Sequence, residues 1–133
     1  MEESRQRKFV PPGAIQHNTA GPYSPVVEVD ARRLVVISGQ VAIGLDGTVV
    51  GETIEEQTRL ALENCRRQLV TAGTDFADVF KVNVYLRDIK EWARFNTVYE
   101  ELLPRPFPVR TAVQAGLLSD FKVEIEMWAS KDG

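Results

Sequence analysis

What most restricts the fold of this chain is a change of hydrophobic period between residues 80 and 129, from strand-like alternation to helical spacing and back. Phe80, Val82, Val84 and Leu86 alternate with Lys81, Asn83, Tyr85 and Arg87. Trp92, Phe95, Val98, Tyr99, Leu102 and Leu103 then recur at helical intervals until Pro104 ends the pattern. Alternation resumes twice. Val109, Thr111, Val113 and Ala115 oppose Arg110, Ala112 and Gln114, and Val123, Ile125, Met127 and Ala129 oppose Lys122, Glu124, Glu126 and Trp128. Strand, helix and two further strands are therefore expected. Upstream, Thr53-Ile54-Glu55-Glu56 is a capping-box pattern opening a helix that carries Ile54, Thr58, Ala61, Leu62, Cys65 and Leu69 on one face and closes at Gly73. Before it, the β-branched runs Val26–Val29 and Leu34–Val41, with Asp30–Arg33 between them, predict a hairpin. The order predicts an α+β fold with both helices on one sheet face. The other face is expected to carry Arg110, Gln114, Lys122, Glu124, Tyr85 and Trp128, and to need cover from another subunit.

A length of 133 residues fits one domain, 1–133, with a flexible segment at 1–16. No apolar run reaches the roughly 20 residues of a membrane span, and the polar start Met1–Lys8 lacks the apolar centre of a secretory signal, so a soluble, cytoplasmic protein is expected. The net charge of −3 argues against nucleic acid as a partner. A single histidine, His17, and a single cysteine, Cys65, offer no metal-ligand cluster, and no cofactor site is apparent. Cys65 falls on the apolar helix stripe and is read as core.

Arg110 stands as a lone cation among small neighbours, with room to grip a carboxylate through two parallel hydrogen bonds. An ion pair with Glu124 or Glu126 is the structural alternative. Asn18–Pro25 reads as a stiff irregular loop placing Tyr23 and Ser24, either toward a site or over the core edge. Ser38-Gly39-Gln40 puts a glycine inside a strand pattern, which marks a bulge or the close approach of another group. Asn96 interrupts the apolar side of the second helix, as a polar contact or through a local bond.

Together, Gly-Pro-Tyr-Ser at 21–24, Ser-Gly-Gln at 38–40, Asn-Thr-Val-Tyr at 96–99, Pro-Val-Arg-Thr at 108–111 and Val-Glu-Ile-Glu at 123–126 resemble the YjgF/RidA family of reactive enamine and imine deaminases. The resemblance implies a chorismate-mutase-like α+β fold assembled as a homotrimer with clefts between subunits. It implies hydrolysis of 2-aminoacrylate-type enamines and 2-imino acids to 2-keto acids and ammonia, without a cofactor. By this similarity Arg110 holds the substrate carboxylate and Glu124 positions water or moves a proton. Tyr23, Asn96, Ser38 and Gly39 line the cleft. Ala112 stands where many members carry cysteine, which leaves a mechanism without a thiol, the reading favoured here because imine hydration needs no covalent step, or a shifted substrate range; the Ala112 amide remains a donor. A related deaminase of a larger intermediate, such as an aminomuconate or 3-aminoacrylate, and a regulatory or RNA-acting role remain alternatives.

Overall fold

The computed structural model describes residues 7–132. Its strands are β1 (Lys8–Phe9), β2 (Glu28–Val29), β3 (Arg33–Val36), β4 (Val79–Leu86), β5 (Val109–Gln114) and β6 (Val123–Lys131), and its helices are α1 (Ile54–Thr71) and α2 (Trp92–Leu102). The order β3-β6-β4-β5 makes a mixed sheet, parallel only between β4 and β5, and β1 pairs separately with β2. Since α2 connects two parallel neighbours, β4, α2 and β5 form a strand–helix–strand unit.

Helix α1 begins where its capping pattern predicts: the Thr53 hydroxyl accepts from the Glu56 amide at 3.1 Å. Its stripe of Ile54, Thr58, Ala61, Leu62, Cys65 and Leu69 is buried and packs on α2 and β6. The core closes with Val82, Val84 and Leu86 of β4, Val123, Ile125 and Met127 of β6, and Phe95, Val98 and Tyr99 of α2. Each such aliphatic or aromatic side chain contributes about 1.5–3 kcal/mol by leaving water. Cys65 is core as expected; its thiol points to the Ile125 carbonyl, and burial pushes its pKa up.

Three expectations are corrected. No hairpin joins residues 26–29 to 34–41, because β2 pairs with β1 and β3 pairs with β6. The proposed flexible start reaches into ordered structure: Lys8 lies in β1, buried, donating to the Val79 carbonyl at 2.7 Å. Its first residues, Met1–Gln6, lie outside the described ones. Phe80 is not in the core; a register irregularity between Val79 and Lys81 turns Val79 inward instead. Among the described residues, no helix is long and apolar enough to cross a membrane.

Candidate functional site

Strand β5 sits at the sheet edge, and its register puts Arg110 beside Val82, Ala112 beside Val84 and Gln114 beside Leu86. Those β4 residues face the helices, so Arg110 does too. Here the expected face is wrong. Tyr85 lies opposite Glu124 and Asn83 opposite Glu126 across β4 and β6, with both carboxylates on the helix-free face. Arg110 and Glu124 therefore lie on opposite sides of one sheet, with β4 between their strands. The alternative of an ion pair between them within the chain is excluded.

On the helix side, Arg110 enters a box of rings. Its guanidinium carbon is 4.6 Å from the Tyr99 ring centre, 4.8 Å from Trp92, 5.4 Å from Tyr23 and 5.7 Å from Phe95. Residues 92, 95 and 99 share one side of α2, which explains how a helix read as core also walls a cation. Gly21 and Asn96 complete the surround: a Cβ built on Gly21 would stand 3.5 Å from Asn96 Nδ2 and 3.7 Å from Arg110 Nη2. Both terminal nitrogens of Arg110, and Asn96 Oδ1, are buried without a hydrogen-bond partner. Burial lowers the Arg110 pKa, opposed by the nearby Tyr99 and Tyr23. An uncompensated buried guanidinium is costly, and a carboxylate or other anion would satisfy both terminal nitrogens.

Tyr23 and Ser24 are held as the loop reading expects. The Ser24 amide donates to the Pro108 carbonyl at 3.2 Å and its hydroxyl donates to the Phe107 carbonyl, fixing the loop to the start of β5. The Tyr23 hydroxyl lies 3.3 Å from His17 Nε2.

The second cluster is on the open face. Val36 pairs with Trp128 and Gln40 with Ile125, so one chain advances four residues against three and a bulge forms at Ser38-Gly39. Gly39 is needed there: a Cβ on it would come within 2.1 Å of Glu124 Oε2, displacing that carboxylate. The close approach expected at this glycine is thus to Glu124. Glu126 is committed elsewhere, since its Oε1 accepts from Tyr85 at 2.8 Å and Asn83 at 3.0 Å, which raises the Tyr85 pKa. Glu124 has no such tie, which separates two acids that the sequence leaves interchangeable.

The structure thus brings Tyr23, Asn96 and Arg110 together, and separately Ser38, Gly39 and Glu124, while Ala112 packs against the core on the Arg110 side. The aromatic box and the covering Gly21 were not legible as site residues. Among the described residues no group of three His, Cys, Asp or Glu side chains could hold a metal.

A mixed sheet layered with two helices, with a buried, unpartnered arginine on its edge strand, places the chain among two-layer α+β proteins. Residues 14–131 match the family model described as Endoribonuclease L-PSP, and the chain belongs to this family, also called YjgF/RidA. It is 40% identical over 126 residues to the mitochondrial protein mmf2 of Schizosaccharomyces pombe, covering 92% of this chain and 98% of that one. It is 40% identical over 119 residues to the human 2-iminobutanoate/2-iminopropanoate deaminase, covering 86% and 80% respectively. The crystal structure of RidA from an Antarctic Psychrobacter bacterium superposes with a TM-score of 0.70 at 33% identity, covering 89% of this chain and 98% of that one.

Proposed function

We propose that the protein is an enamine and imine deaminase, converting small 2-imino acids and 2-aminoacrylate-type enamines to 2-keto acids and ammonia. The observation that carries this reading is the Arg110 fork, buried among four rings with neither terminal nitrogen partnered. A planar guanidinium held in this way is complementary to a carboxylate, which it binds through two parallel charge-assisted hydrogen bonds. The kinship with a human protein named as a 2-iminobutanoate/2-iminopropanoate deaminase supports the choice of substrate.

The chemistry needs only placed water and proton transfer. An enamine takes a proton at carbon and gives one up from nitrogen to become the imine. Water then adds at the imine carbon, a proton passes to nitrogen, and ammonia leaves as the carbonyl forms. Arg110 anchors the acid end, and Glu124 orients the water and carries the proton. Glu124 is the better acid for this than Glu126, whose carboxylate already accepts from Tyr85 and Asn83. No step requires a thiol, in keeping with Ala112.

Because the two clusters face opposite ways, the proposal includes a homotrimer in which the open sheet face of one copy meets the Arg110 edge of the next. Leu34 and Val36, each 59% exposed on the open face, are the apolar surface such an interface would bury. The chain is proposed to act as one chorismate-mutase-like domain in the cytoplasm; fractionation would separate that location from the mitochondrial one in the name of the yeast relative.

The test is a coupled assay in which an amino-acid oxidase generates imines of increasing side-chain size and free ammonia is followed. The wild-type protein should accelerate release from 2-iminobutanoate, and Glu124→Gln should lower kcat by roughly 10²–10⁴-fold, the usual worth of a general acid–base group, with less effect on binding. A wild-type protein that leaves the spontaneous rate unchanged would refute the assignment. Acceleration only for the largest imines would select the related deaminase of a larger intermediate.

A further inference from the structure

We propose that Gly21 is a specificity-determining residue of the carboxylate site: its bare Cα roofs the Arg110 fork, and the missing side chain shortens the lift of the roof that lets a carboxylate reach the guanidinium. The inference rests on the deaminase reading above and deepens it.

Conformation does not explain a glycine at this position. Gly21 is not among the residues of positive φ, so its backbone suits any residue. Crowding does not explain it either. A Cβ there would meet Asn96 Nδ2 at 3.5 Å, Arg110 Nη2 at 3.7 Å and Tyr23 Cε2 at 3.7 Å, all ordinary contacts. The vector of that missing bond is the informative feature, because it points at Arg110 Nη2, a buried donor with no acceptor among the described residues, and at the Asn96 amide nitrogen beside it. A methyl group there would pack without strain and would stand where the anion must enter.

Both terminal nitrogens of Arg110 are already covered, so entry requires the roof to lift. Its attachments suit that motion. At one end Ser24 is buried and bonded to the Phe107 and Pro108 carbonyls. At the other, the fastenings are exposed bonds, from Gln16 Nε2 to the Tyr23 carbonyl at 3.1 Å and between the Tyr23 hydroxyl and His17 at 3.3 Å. Bonds open to water exchange readily for solvent, so the segment pivots on Ser24. A cavity of about 370 Å³, lined by Gly21, Tyr23, Arg105 and Phe107 among others, lies against the same segment and gives it space. An anion slipping under a bare Cα needs a smaller lift than one slipping under a methyl.

The experiment compares wild type, Gly21→Ala and Gly21→Ser in thermal melting, in calorimetric titration with 2-oxobutanoate, and in turnover of 2-iminobutanoate. The expected result is unchanged melting for both variants, at least tenfold weaker binding of 2-oxobutanoate, and KM raised by a similar factor with kcat within about threefold. Wild-type affinity in a folded variant would overturn the proposal. So would unfolding of both variants, since a side chain is argued to fit there. A wild type that neither binds 2-oxobutanoate nor turns over the imine refutes the deaminase reading itself, whereas a wild type that does both, with unaltered variants, refutes only the role of Gly21.

Discussion

Arg110 concentrates the conflict between stability and function in one side chain. Burial lowers its pKa, its terminal nitrogens have no partner, and only the surrounding rings compensate the lost hydration. Cation–π contacts contribute about 0.5–2 kcal/mol each, against a larger desolvation cost. Arg110→Met, which keeps the volume and removes the charge, is expected to melt within a few degrees of the wild type or above it while losing about 2–5 kcal/mol of affinity for a small keto acid. Calorimetric titration with paired melting curves reads both; joint loss of folding and binding would make Arg110 a structural residue. Alternation correctly placed Arg110 with Ala112 and Glu124 with Glu126. It could not say which face of β5 meets the helices, because Val109 and Val113 make one side apolar while Ala112 is the residue that packs on the core. A lone cation reads as solvent-facing unless the rings awaiting it on α2 are also recognised.

At the scale of elements, long-range pairing decided what local signals could not. The turn at 30–33 lies between two β-branched runs, yet each pairs with a distant strand, β2 with β1 and β3 with β6. Helices, whose bonds are local, were readable to within a residue or two from caps and period, as at Thr53 and Pro104. Strand β1 escaped notice because it is two residues long and is held by Lys8, a type rarely buried. Burial lowers the Lys8 pKa from 10.5 to about 8, partly offset by Asp78. Between those two values the unfolded chain holds a proton that the folded chain has released, so this group adds stability as pH rises through that window. The stability advantage of wild type over Lys8→Met, measured by urea unfolding, should therefore grow from pH 8 to pH 10.5; a shrinking advantage would show that Lys8 stays charged in the fold.

For the whole molecule, the sheet separates what the proposed reaction must join. The guanidinium sits among α2 rings on one side, the free carboxylate of Glu124 beside Gly39 on the other. On the proposed reading, a single chain offers two half-sites. Closed rotational symmetry would bring the open face of each copy against the next copy's edge and give as many complete sites as subunits. The most direct measurement is subunit mixing. Arg110→Met and Glu124→Gln are each prepared inactive, unfolded together in equal amounts and refolded, and 2-iminobutanoate turnover is recorded. If every site takes its arginine from one copy and its acid from another, random assembly restores roughly a quarter of wild-type activity. A mixture as inactive as its two components would contradict a shared site.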